Sequence, residues 1–169
     1  NEETKLLLKL MLDKLTSEGK IRERENTWIH TSHQVELDDE TRNLIQKVDN
    51  YLKSIGNTSA DFDEIDQHLP RQISDKKLQQ ILAFLLDEGK IHFIQMCYLH
   101  DDFLQKSKKL TVEYLKQNSE GITVAQLRDM ISSNRATALL VLDWLDNAGV
   151  TLRKGNFRFL TKKFLEKME

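Results

Sequence analysis

Residues 140–160 read LVLDWLDNAGVTLRKGNFRFL, an apolar helix face, then a glycine, then two short alternating runs around a Lys-Gly-Asn turn. The glycine suits the left-handed position that ends a helix. Alternation on both sides of a short Gly-Asn turn is a strong hairpin signal. Helix followed by a two-stranded hairpin is the closing half of a winged helix, with Arg135–Ala148 as the recognition helix and the hairpin as the wing. The same grammar occurs twice more, in LMLDKLTSEGKI (residues 10–21) and ILAFLLDEGKI (residues 81–91). Counting back from Gly19, Gly89 and Gly149, the apolar positions recur: Leu8, Leu78 and Ala138, then Leu12, Leu82 and Leu142, then Leu15, Leu85 and Leu145. This is one face of an α-helix. The strands that follow begin at Ile21, Ile91 and Thr151 and end near Ile29, Leu99 and Phe159.

Two of the three copies carry the preceding helices. Residues 39–55 read as a first helix capped by Asp38 or Asp39, residues 61–68 as a second, and Ser74-Asp75 starts the third. In the last copy residues 101–118 form the first helix. Thr123 caps Val124–Met130, and Ser132 or Ser133 caps the recognition helix. The predicted fold is mainly α with small β-hairpins (α+β), as tandem winged-helix domains. Residues 1–35 are the closing half of one, 36–105 a complete acidic one, and 106–169 a complete basic one. The junctions at 32–38 and 100–106 are not rich in Pro, Gly or Ser, so the domains are expected to be closely coupled. Opening on Asn1 inside a helical pattern, the chain reads as a piece of a longer protein.

Composition narrows the functional classes. The 169 residues contain one proline, six glycines and 31% charged residues, ordinary for a soluble globular protein. No run approaches the length of about 18 apolar residues needed to span a bilayer, and no signal pattern opens the chain. The single Cys97 excludes an internal disulfide framework and reads as a small buried hydrophobe, which suits a reducing, cytoplasmic compartment. Net charge is −2, unevenly spread: residues 36–105 carry seven basic and fourteen acidic groups, residues 106–169 twelve basic and seven acidic. Polyanion binding is therefore expected at the basic end, with the middle domain a spacer or protein-facing element.

No phosphate loop, nucleophile elbow or zinc-protease motif is present, and no catalytic residue is assigned. His30, His33 and Glu36 are spaced three apart, but their strand-and-loop context argues against a metal site. The acidic pairs Asp38-Asp39 and Asp101-Asp102 fit helix capping better than acid–base work. A binding constellation is better supported. Arg135 begins the recognition helix beside Ser133 and Asn134, Arg128 ends the preceding helix, and Arg153, Lys154 and Arg158 stand on or beside the wing. A helix start offers N–H groups and a positive dipole end to phosphate, and arginine adds forked hydrogen bonds or stacking. Against this, Arg128 and Arg158 have potential acidic partners in Asp129 and Asp143. Trp144 reads as core rather than as a stacking platform.

The segment LRDMISSNRATALLVLDWLDNAGVTLRKGNFRFL (residues 127–160) resembles the last winged helix of the bacterial selenocysteine-specific elongation factor SelB. The matching features are Arg128-Asp129, the helix start Asn134-Arg135-Ala136, the helix end Trp144-Leu145-Asp146, Gly149-Val150-Thr151-Leu152-Arg153 and Gly155. Residues 18–45 are similar to the join between that family's second and third winged helices. The sequence departs from the pattern at Asn134, Ala136 and Leu152, where serine, lysine and arginine are usual. The resemblance implies a monomeric, non-enzymatic tail that holds the selenocysteine insertion hairpin of messenger RNA. It also implies that a missing N-terminal part carries GTP, Mg and selenocysteyl-tRNA to the ribosome, so no cofactor is expected here. Alternatives are a winged-helix DNA-binding regulator and a protein-interaction scaffold.

Overall fold

A computed structural model of the chain describes residues 2–18, 21–24, 27–30, 38–70 and 73–167. These fall into two compact units, residues 1–42 and 43–169. The first unit holds α1 (Glu2–Ser17) and the antiparallel pair β1 (Ile21–Arg24) and β2 (Thr27–His30), in the register Ile21↔His30 to Arg24↔Thr27. The expected helix and hairpin are thus present, while Gly19 and most of the junction at 32–38 lie outside the described residues. Leu8 and Met11 are exposed, because one helix and a two-stranded hairpin offer a single covering surface. Helix α2 (Asp39–Ser54) starts at the predicted residue, and the N–H of Thr41 donates to the Asp38 carboxylate at 2.6 Å.

The second unit contains two successive repeats of one plan. After α2 come α3 (Phe62–Gln67), α4 (Asp75–Asp87), β3 (Ile91–Ile94) and β4 (Cys97–His100). Then follow α5 (Asp101–Gln117), α6 (Val124–Met130), α7 (Arg135–Asn147), β5 (Thr151–Lys154), β6 (Phe157–Leu160) and the short α8 (Lys162–Glu166). In each repeat a residue before the second helix adds a third, one-residue strand to the hairpin: Ala60 bridges Tyr98, and Ile122 bridges Arg158. Three helices closed by such a sheet are a winged helix.

The helix boundaries follow local chemistry. Asp61 with Glu64, and Thr123 with Gln126, form capping boxes at α3 and α6, and Ser74 caps α4. Both long third helices end alike: the N–H groups of Gly89 and Lys90 donate to the carbonyls of Leu86 and Leu85, and those of Gly149 and Val150 to Asp146 and Leu145. These are Schellman ends, with Gly89 and Gly149 at φ 68° and 69°. Their apolar faces are buried as the spacing predicts: Leu78, Leu82 and Leu85 in α4, and Ala138, Leu142 and Leu145 in α7. Thr161 caps α8, an element the sequence reading did not anticipate.

The junction between the repeats has no linker. His100 ends β4 and caps α5, its Nδ1 accepting from the N–H of Asp102 at 3.1 Å. Its Nε2 faces an Asp49 oxygen at 3.2 Å. The sequence division after residue 105 therefore falls inside α5: charge changes sign there, but the backbone does not break. Leu99 and Leu104 belong to the same buried cluster as Leu127, Val141, Leu142 and Leu145, so the core runs on across residues 100–106.

Candidate nucleic-acid interface

The last winged helix gathers Arg128, Ser133, Asn134 and Arg135 around the turn from α6 to α7. The N–H of Ser133 donates to the carbonyl of Arg128 at 3.0 Å, and Ser132 takes the left-handed conformation at φ 52°. A non-glycine residue there carries strain that its surroundings must hold. The cap of α7 is Asn134, whose side chain accepts from the N–H of Thr137 at 2.8 Å; this corrects the expectation that Ser132 or Ser133 caps it. The Ser133 hydroxyl instead donates to the carbonyl of Asn57, and the Asn57 amide donates to the carbonyl of Ser132. The hydroxyls of Ser59 and Thr137 lie 3.4 Å apart alongside. A loop of the middle domain thus braces the turn that aims the tip of α7.

Arg135 is the first residue of α7, exposed, and makes no ion pair with a described residue; the first turn of α7 has no acid. A free guanidinium on the positive end of a helix is suited to a phosphate or a base face. Arg128 is less free. Its Nε donates to Asp129 at 2.7 Å and its Nη2 lies 2.6 Å from the same oxygen. Both residues are substantially exposed, so a competing phosphate can displace the carboxylate at little cost.

The wing supplies a second, separate group. Arg153 is exposed, and its Nε donates to the carbonyl of Gly155 at 3.0 Å, which holds the side chain against the turn. Lys154 is exposed, with its Nζ 5.5 Å from the centre of the Phe159 ring. Phe157, paired with Lys154 across the hairpin, is 41% exposed. An exposed ring on a basic hairpin can stack on an unpaired base. The sequence reading missed it, because alternation through F157-R158-F159 makes both rings appear core-facing.

Arg158 overturns that alternation. It is 2% exposed, so it is not a surface contact for RNA as the sequence reading proposed. Its backbone N–H and carbonyl pair with Ile122 at 2.9 Å each, which turns the side chain inward against α7. There Nε lies 3.3 Å from Asp146 and Nη2 3.7 Å from Asp143. The other oxygen of Asp146 accepts from the Thr151 hydroxyl at 2.6 Å. Arg158 therefore ties the wing to the C-terminal half of α7. Gly121 permits the bridge: a Cβ there would sit 2.8 Å from the Arg158 carbonyl oxygen and 2.9 Å from the Phe159 ring.

The wing of the middle domain is built differently. Residues 93–98 read FIQMCY, without a charge. Ile94 and Cys97 pack against the core of the last domain, the Gln95 amide donates to Asp143, and the His92 ring meets Trp144 edge-on at 5.6 Å. Cys97, read from sequence as buried, is half-buried in β4, while Trp144 is a packing residue as expected. This hairpin is thus partly occupied by its neighbour, while Phe93 and Met96 stay exposed. Among the described residues no group of His, Cys, Asp and Glu could hold a metal ion, and no helix is long and apolar enough to cross a membrane. His33 and Glu36 lie outside the described residues.

The fold is that of a tandem winged-helix protein, with a basic last domain. Residues 113–160 match the family model described as the winged helix of elongation factor SelB. Among solved structures, the chain is similar to the mRNA-binding domain of elongation factor SelB from E. coli, in a structure described as a complex with SECIS RNA. The TM-score is 0.61 and the identity 19%, over 74% of this chain and 99% of that one. It is also similar to a bacterial selenocysteine-specific elongation factor, with TM-score 0.57 and 23% identity over 92% of this chain. This chain spans 24% of that longer protein. No curated protein matches the chain in a sequence search. The family match and the shared fold support the SelB resemblance stated above.

Proposed function

We propose that the chain is the C-terminal region of a selenocysteine-specific elongation factor and binds an mRNA hairpin through its last winged helix. The observation that carries this reading is the exposed Arg135 at the tip of α7, which makes no ion pair with a described residue and lies inside a segment that matches the SelB winged helix. RNA is read mainly at loops, bulges and unstacked bases. A compact tip with Arg135, Asn134 and the adjacent Arg128, backed by Arg153, Lys154 and Phe157 on the wing, suits such a target. Deep reading of a DNA groove is disfavoured, because Thr137 and Ala138 directly behind the tip are buried in the core. The chain itself does no chemistry in this reading. GTP with Mg, selenocysteyl-tRNA and the ribosome engage the rest of the parent protein, which works in the cytoplasm as a monomer.

The test is a titration with a selenocysteine-insertion hairpin against a scrambled hairpin and a DNA duplex of equal charge. The native chain prefers the first, and Arg135→Ala weakens that complex by about 1–3 kcal/mol. Equal affinity for all three probes, or an unaffected Arg135→Ala variant, refutes the reading.

A further inference from the structure

The basic residues of the last winged helix are sorted by type. All four arginines from Asp101 onward, Arg128, Arg135, Arg153 and Arg158, lie on α6, α7 and the wing. Six of the eight lysines lie instead on α5 and α8, and a seventh, Lys167, is the C-cap of α8. Lys106, Lys109, Lys116, Lys162, Lys163 and Lys167 are exposed, and Lys108 is half-buried. None of the seven makes an ion pair with a described residue. The two helices adjoin: Lys108 Nζ sits 5.8 Å above the Phe164 ring, and a shallow groove of about 350 Å³ between them is lined by Lys108, Lys109, Lys116, Val112, Glu113 and Phe164.

We infer that this α5–α8 face is a second, sequence-independent docking surface for an RNA phosphate backbone, distinct from the arginine-bearing tip and wing. Lysine is a compact point charge suited to phosphates without regard to sequence, whereas the arginine fork suits base edges and bidentate contacts. Protein interfaces are depleted in lysine and centred on apolar or aromatic anchors, and here the apolar floor is only Val112 and Phe164. On a rigid helix, Lys109 and Lys116 stand two turns apart, roughly 10 Å. That fixed spacing lets one strand of a duplex backbone be held at more than one phosphate. The surface goes beyond the hairpin-reading site and does not require it.

The probe is a random-sequence RNA duplex of about 16 base pairs, titrated by fluorescence anisotropy against the full chain between about 50 and 200 mM salt. Three exposed lysines are neutralised together, as Lys109→Gln, Lys116→Gln and Lys163→Gln. Each lost phosphate contact lowers the slope of log affinity against log salt by about 0.9, so the slope falls by about two to three and low-salt affinity drops at least about tenfold. A control set, Lys9→Gln, Lys47→Gln and Lys76→Gln, leaves the slope unchanged, and thermal melting verifies that both sets fold. Arg135→Ala keeps most of the duplex slope even where it abolishes preference for the hairpin, so failure of the hairpin reading and failure of this inference are separable. The inference is overturned by an unchanged slope in the α5–α8 set, by an equal loss in the control set, or by loss of duplex binding in Arg135→Ala. It is also overturned if the α5–α8 lysines support binding to phosphatidylserine vesicles but not to the duplex.

Discussion

Removing either side of the Arg158 clamp should cost stability rather than ligand binding, and the two sides should differ in size. Arg158 is 2% exposed, while the side chains of Asp146 and Asp143 keep 23% and 32% exposure. Deleting a carboxylate therefore strands a cation with no access to water, whereas deleting the cation leaves carboxylates that water can still reach. Leaving a buried charge unpaired costs about 3–5 kcal/mol. Asp146→Ala belongs in that range, and it also frees the Thr151 hydroxyl, a hydrogen bond contributing about 0.5–1.5 kcal/mol. Asp143 remains 3.7 Å from the guanidinium and holds the loss toward the lower end. Arg158→Met keeps the apolar stem and removes the buried charge itself, so its cost should be only about 1–2 kcal/mol. With a urea slope of about 2 kcal/mol/M, Asp146→Ala should move the unfolding midpoint down by about 1.5–2 M. Hairpin affinity of the folded variants should match the parent within twofold, by about the resolution of 0.4 kcal/mol. An Asp146→Ala protein as stable as the parent, or an Arg158→Met protein that folds normally and loses the hairpin, would show that Arg158 faces the ligand.

Other expectations follow from the same geometry. Gly121→Ala meets a backbone oxygen at 2.8 Å and a ring at 2.9 Å, at φ 88°, whereas Gly155→Ala at φ 59° meets nothing within 4 Å. The first should lower stability by about 1–3 kcal/mol and clearly more than the second, as read by thermal melting. Phe157→Ala should change stability by less than about 0.5 kcal/mol but weaken the hairpin complex by about 1–3 kcal/mol if the ring stacks on a base; unchanged affinity removes Phe157 from the interface. The hydrogen bond from Lys53 at 2.8 Å holds the Asp102 carboxyl below the ordinary aspartate value and lifts the Lys53 ammonium above the ordinary lysine value. The pair's contribution is thus present at neutral pH. It is lost in acid as pH falls through the lowered Asp102 midpoint, and in base as pH rises through the raised Lys53 midpoint. NMR titration of Asp102 should show the depressed midpoint, and Lys53→Met should move it back up toward the ordinary aspartate range.

Much of the fold was legible because helix ends are local events. The capping side chains of Asp38, Ser74 and Thr123 and the terminal Gly89 and Gly149 act within one turn of where they stand, so their sequence positions predict the boundaries. The recognition helix start was misplaced by one or two residues, since Ser132, Ser133 and Asn134 are all capping types. Which one caps depends on Asn57, far away in sequence, which engages the two serines. Exposure was legible where it follows from position, as for Arg135, Arg153 and Lys154. The reading failed at Arg158 and Phe157 because strand alternation assigns polar residues outward. The one-residue strand at Ile122 and the two carboxylates of α7 make the inner face of β6 the place for a charge instead. Braces from the middle domain, such as Gln95 on Asp143 and His92 on Trp144, link surfaces about fifty residues apart and leave no periodic signal.

The most direct measurement is amide chemical-shift mapping of the chain during titration with the selenocysteine-insertion hairpin. Hairpin recognition by the last winged helix predicts saturable shifts concentrated at residues 128, 133–135 and 153–157, with the middle wing at residues 93–98 unmoved. Shifts confined to residues 39–100, or none at saturating RNA, would contradict it.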